Sequence, residues 1–130
     1  MANEWKWKEG PRITVAATAA TAYSKGTPCY FVSNEATVVA DGGTVDLVAA
    51  TDVTSGAVGQ YIMPMGDIFE VHTAADMNVG DRAYMAASYC VDAGSAGNVT
   101  YMSIVDYNPA SSGSALISVM SALHGPKTHT

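Results

Sequence analysis

Turn signals recur along this chain about every ten residues, and the stretches between them are short and rich in Val, Thr, Ile and Tyr. That spacing belongs to an all-β sandwich or small barrel. "RITVAATAATAY" opens the series; alanine alone would permit a helix there, but interleaved Thr and Val lower that propensity. "TPCYFVS" and "ATVVA" follow, and the Asp41-Gly42-Gly43 tripeptide after them predicts a hairpin into "TVDLVAA". In the latter, Val45, Leu47 and Ala49 alternate with Thr44, Asp46 and Val48. "AVGQYIM" ends at Pro64, "DIFEVH" alternates again, and "RAYMAASYCVDA", "NVTYMSIVDY" and "ALISVMSA" complete the strands. "SALISVMSALHG" has helical spacing, but β-branched Ile117 and Val119 weaken a helix there. The sequence predicts an all-β domain of about eight short strands with at most one short helix. A compact barrel, a β-tulip and a jelly roll would all give this spacing.

A chain of 130 residues makes one domain, large enough to remove roughly two-thirds of its unfolded surface from water. It needs neither metal nor disulfides to fold, and no cofactor is expected. Charged residues are only 14% of the chain, against about 25% in ordinary domains. The net charge of −6 is unevenly placed. Residues 1–12 carry Lys6, Lys8 and Arg12 against Glu4 and Glu9, whereas residues 13–126 hold Lys25 and Arg82 against ten acids. An acidic body with so few cations is unsuited to nucleic acid, which demands clustered Lys and Arg. Cys29 and Cys90 match no metal spacing; they could pair, but two lone cysteines are more often small buried hydrophobes. No apolar run approaches the ~18 residues of a membrane span. "MANEWKWKEGPR" lacks the form of a signal peptide, so synthesis in the cytoplasm with reduced thiols is expected.

The same twelve residues predict an extended N-terminal arm, followed by a β-domain over 13–123 and a loose polar tail over 124–130. In the arm, Trp5 and Trp7 alternate with Lys6 and Lys8 before Gly10-Pro11 breaks the pattern. Both tryptophans of the chain sit here, and paired aromatics are costly to leave wet, so the arm is expected to dock. The residues leave open whether it docks on its own domain or on a neighbouring subunit, as in strand addition.

Residues 66–86, "GDIFEVHTAADMNVGDRAYMA", pose the sharpest chemical question. Glu70, His72 and Asp76 form either an acid–base or metal cluster, or the polar face of a strand and turn. On a strand, Asp67, Phe69 and Val71 face inward while Ile68, Glu70 and His72 face out. Glu70 and His72 can reach each other on that face, but a catalytic site also needs a nucleophile or metal and a pocket. Alternation places polar residues outside by default, so the architectural reading is preferred. "GSAG" and "SSGSA" lack the lysine of a phosphate loop, and "GTPC" is no nucleophile elbow. His124 and His129 read as solvated tail residues, Asn98 as an unused sequon, and seven scattered tyrosines as core and interface residues. No catalytic or metal-ligating residues are assigned, and no enzyme activity is expected.

Laid out in this order, the elements resemble the small Ala/Gly/Val-rich capsid decoration (cement) proteins of tailed bacteriophages. "YSKGTPCYF" resembles that family's glycine-led approach to an early strand. "AVGQYIMPMGDIFEV" is similar to its turn glycine and phenylalanine-centred strand, and "MNVGDRAYM" to its Gly-Asp-x-x-Tyr element. "ALISVMSA" sits where such chains end in a final strand. The likeness spans roughly residues 23–122 and excludes the arm. It implies a compact β-fold on the exterior of a virion's capsid, commonly a trimer at symmetry axes. Such a protein clamps major capsid subunits together and carries no catalytic residues. From the residues themselves, Trp5, Lys6, Trp7, Lys8 and Arg12 are the expected partner interface, with tryptophan anchors and complementary charge. A head fibre base, a tail subunit and a carbohydrate-binding β-module remain alternatives; an enzyme built on Glu70, His72 and Asp76 ranks last.

Overall fold

The computed structural model describes residues 4–39, 44–73, 78–85, 91–93, 102–107 and 113–124, and these form an all-β molecule in two layers. Eleven strands occur among them: β1 (Lys6–Glu9), β2 (Ile13–Ala19), β3 (Pro28–Val32), β4 (Glu35–Val38), β5 (Leu47–Ala49), β6 (Val58–Met63), β7 (Met65–His72), β8 (Arg82–Met85), β9 (Val91–Ala93), β10 (Met102–Tyr107) and β11 (Ser114–Met120). The nine stretches named from the sequence become eleven strands because "RAYMAASYCVDA" supplies two and the arm a further one. After β11 the described residues continue into a single 3-10 turn, Ala122–His124. "ALISVMSA" is thus a strand, as its β-branched residues required. No helix among the described residues is long and apolar enough to cross a membrane.

Strands β2-β4-β3-β5-β6 close into a barrel, while β1-β7-β11-β10-β8-β9 form a six-stranded sheet. β2 pairs antiparallel with β6, from Ile13 opposite Met63 to Thr18 opposite Val58, and parallel with β4 at Thr18 and Ala19. A five-stranded ring is too narrow for many large side chains. Its interior accordingly takes Ala17, Ala19, Ala36, Ala49 and Cys29, with Leu47, Tyr23 and Tyr61 filling the remainder. This is why an alanine-rich run forms a strand: small side chains on alternate positions are what the barrel interior admits. Burial pushes the Cys29 thiol up to about 12, matching its reading as a small hydrophobe. Cys90 lies outside the described residues.

The expected hairpin at Asp41-Gly42-Gly43 is corrected. β4 and β5 both pair with β3, on opposite edges, so the strands flanking that tripeptide are not partners. The turn itself lies outside the described residues. The hairpin in this region joins β3 to β4 through Ser33 and Asn34, both left-handed at φ 52° and 66°. Such a pair of conformations makes the turn whose twist matches a tight hairpin.

β5 and β6 serve both layers. Leu47, Ala49 and Tyr61 face the barrel interior, whereas Val48 and Ile62, cross-strand partners, face the sheet. There they meet Trp5, Phe69, Val71, Met85, Ile104 and Ile117 in a second core. Beyond β11, Ser121 donates to the Asp46 carbonyl at 2.7 Å and Ala122 to the Val45 carbonyl at 3.0 Å, tying the sheet's last strand back to the barrel.

Candidate partner interface

The arm is extended, as its period of two predicted, and it docks on its own chain. β1 pairs antiparallel with β7, with Lys6 opposite Glu70 and Trp7 opposite Phe69, and shifts register by a bulge before Glu9. Trp5 is 2% exposed, and its ring lies 5.8 Å from that of Phe69 at a tilt of 54°. Its backbone N–H donates to the Gly26 carbonyl at 3.0 Å. Gly26 is left-handed at φ 86°, and a Cβ there would sit 2.7 Å from the Trp5 carbonyl oxygen. Trp5 is therefore an internal anchor, which corrects its place among the expected partner contacts: its aromatic surface is already taken up by the core.

What fixes the arm is Asp67, a residue whose inward direction was legible but whose role was not. Its carboxylate is fully buried. Oδ2 accepts from Trp7 Nε1 at 2.9 Å and from the Arg12 backbone N–H at 2.9 Å, while Oδ1 accepts from the Met65 N–H at 2.8 Å. Gly10 passes so close that a Cβ would come within 2.7 Å of the Asp67 Cγ, and its φ of 134° already demands glycine. The Arg12 guanidinium lies 5.5 Å from the centre of the Trp7 ring, a cation–π contact.

The outer face of β1 carries Lys6 and Lys8, both exposed. Lys8 Nζ is 3.1 Å from Glu70 Oε1, and Ser114 Oγ donates to Glu70 Oε2 at 3.2 Å. The hydrogen bond from Lys8 outweighs partial desolvation and holds the Glu70 carboxyl below its ordinary value of 4.5. His72 is exposed at the end of the same strand, and its register partner is Ser114. The alternation expected for "DIFEVH" is observed: Asp67, Phe69 and Val71 are buried while Ile68, Glu70 and His72 are not. Asp76 lies outside the described residues, as do Asn98 and His129. Among the described residues no three His, Cys, Asp or Glu side chains gather to hold a metal ion.

Between β1 and the barrel lies a cleft of about 270 Å³. Buried Val48, Ala50, Ile62 and Phe69 form its floor, and Lys6, Arg12 and Lys25, all exposed, line it with Glu4. Val58, at the start of β6, and Val79, in the turn before β8, are also exposed but do not line it.

A closed small barrel carrying a six-stranded sheet, with the N-terminal strand at its edge, defines an all-β module. No protein-family model matches the chain, and no curated protein matches it. In structure it is similar to the head fibre gp8.5 N base of bacteriophage phi29, with a TM-score of 0.62 at 19% identity, over 91% of this chain and 98% of that one. At that identity the likeness shows a shared fold.

Proposed function

We propose that this chain is a non-enzymatic structural component of a phage virion, seated on the exterior of the head and attached to the major capsid protein. The observation that carries the reading is the extent of the likeness. Nearly the whole of a head fibre base superposes on nearly the whole of this chain, with no large part of either left over. That favours the head fibre base among the virion roles, and the element order that resembles capsid decoration proteins points to the same location. The surface residues are in keeping with a structural task. Glu70 is engaged by Lys8 and Ser114 rather than paired with His72 for proton transfer. The exposed Lys6, Lys8 and Arg12, with the partly exposed Trp7, form the surface that meets the shell. Several copies acting together, as a trimer, would multiply a modest contact through avidity.

The test is co-sedimentation of the purified protein with phage heads that lack it. Saturation at a fixed ratio to the major capsid protein supports attachment, and retention in the supernatant at micromolar concentration overturns it. Heating the loaded heads separates the two roles. A decoration protein raises the temperature at which the shell opens, whereas a fibre base binds without changing it.

A further inference from the structure

The cleft between β1 and the barrel has a charge that the rest of the molecule does not. The chain is net −6 with six Lys and Arg in all, and three of them, Lys6, Arg12 and Lys25, line this one cavity. They reach it from three separate places: β1, the turn between β1 and β2, and the turn that precedes β3. No ion pair among the described residues involves any of the three; the pair on this face joins Lys8 to Glu70. Arg12 also lies over the Trp7 ring and Lys6 helps hold Glu70 charged, but three like charges around one cavity still repel one another unless an anion meets them. Glu4, the one acid on the lining, leaves them in excess.

The floor is of the opposite character, with Val48, Ala50, Ile62 and Phe69 all buried beneath the opening. Its volume, about 270 Å³, falls below the ~300–1,000 Å³ typical of small-molecule sites and fits one or two side chains. Alongside it, β1 is the edge strand of the six-stranded sheet, the position at which an extended segment can lie down. A cationic rim, a shallow apolar floor and an adjacent strand edge together describe a receptor for extended polypeptide.

We infer that this cleft binds an extended acidic peptide segment, one apolar side chain entering the floor and flanking carboxylates meeting Lys6, Arg12 and Lys25. The identity of the segment's owner, the capsid shell, rests on the function proposed above; the cleft's preference for acidic peptide does not. Lys25 is the informative residue. It is exposed, it lies outside the arm, and its structural contact is a backbone one, its N–H donating to Asp52 Oδ1 at 2.8 Å. A side-chain substitution leaves that bond in place.

Trp5 and Trp7, the only tryptophans of the chain, both line the cleft and report its occupancy by their emission. The experiment titrates the full chain with the blocked peptide Asp-Glu-Leu-Asp-Glu, with Lys-Lys-Leu-Lys-Lys, and with Asp-Glu-Gly-Asp-Glu. The inference expects saturable binding of the first that weakens with added salt, none of the second, and weaker binding of the third. Lys25→Glu is expected to weaken the first by about tenfold, as reversal of a contacting charge does, while far-UV circular dichroism confirms that the variant folds. Equal binding of acidic and basic peptides, or equal binding by wild type and Lys25→Glu, overturns it. Self-association of the wild type that Lys25→Glu abolishes also overturns it, because the occupant is then a second copy. Sedimentation with heads is read separately. Peptide binding without head binding removes the proposed function and leaves the cleft's preference standing; head binding without peptide binding does the reverse.

Discussion

Asp67 is where the N-terminal arm is tied to β7, and its environment makes it the most consequential single side chain. Replacing it with Ala removes the acceptor from Trp7 Nε1, the Arg12 N–H and the Met65 N–H at once. Each stranded donor costs about 1–3 kcal/mol when desolvated. All three bonds are partly buried, so the lower end applies and Asp67→Ala is expected to lose about 3 kcal/mol in urea unfolding at neutral pH. A loss below 1 kcal/mol would mean that the arm holds without this carboxylate. Glu70 makes a contrasting, smaller contribution at the surface. Its carboxyl sits below 4.5 in the folded chain because the Lys8 hydrogen bond favours the charged form. A depressed carboxyl stabilises the fold above its unfolded value and loses that contribution as pH falls through the folded value. Glu70 is partly exposed, so the contribution is expected to stay under about 1 kcal/mol. Unfolding of wild type and Glu70→Gln compared from pH 7 to pH 3 should differ at neutral pH and converge in acid. A constant difference would detach Glu70 from the pH dependence.

At the scale of elements, much of the fold was legible and the reasons differ strand by strand. "DIFEVH" and "EWKWKE" show their period of two openly because each has one buried and one outward face. β5 alternates too, Leu47 and Ala49 toward the barrel and Val48 toward the sheet, but all three are buried, so a strand between two cores shows its period without showing an outward face. The Asp41-Gly42-Gly43 signal misled because turn residues mark where the chain reverses, not which strands then pair, and β3 comes to lie between β4 and β5. The true hairpin at Ser33 and Asn34 was missed because serine is a weak indicator of a left-handed residue. That weakness yields a prediction. Asn-Gly is the preferred dipeptide where both central residues are left-handed, so Ser33→Asn combined with Asn34→Gly relieves two positive φ values without touching a core residue. The double variant is expected to gain about 0.5–1 kcal/mol by thermal or urea unfolding. A loss would show that one of the original side chains is needed where it stands. The candidate interface divides the same way. The arm's docking could be expected from its tryptophans, but Asp67 lies 60 residues from Trp7 and 55 from Arg12, and nothing local announces such a meeting. Lys25's place on the cleft is equally non-local.

The whole molecule is joined where β5 and β6 turn one face to the barrel interior and the other to the sheet. Val48 and Ile62 belong to the core shared with Trp5 and Phe69, while their neighbours Leu47, Ala49 and Tyr61 belong to the barrel's own. β6 runs on through Pro64 into β7, and Ser121 donates back to the Pro64 carbonyl at 2.9 Å. Neither layer can open without exposing the floor of the other, so unfolding should be a single cooperative transition. Two probes inside the chain test this. Trp5 and Trp7 report the junction with the sheet, and Cys29, buried in the barrel with its thiol pushed up to about 12, reports the barrel by resisting alkylation until it opens. Ile62→Ala, which removes side-chain volume at the junction, is expected to cost about 2–5 kcal/mol. Because Ile62 touches both layers, tryptophan emission and labelling of the Cys29 peptide, read by mass spectrometry, should move to lower urea together and by the same amount. If the tryptophan transition shifts while Cys29 stays protected to the wild-type midpoint, the barrel stands alone and the sheet is an attachment to it. In the coupled arrangement, force applied to either layer is resisted by both cores.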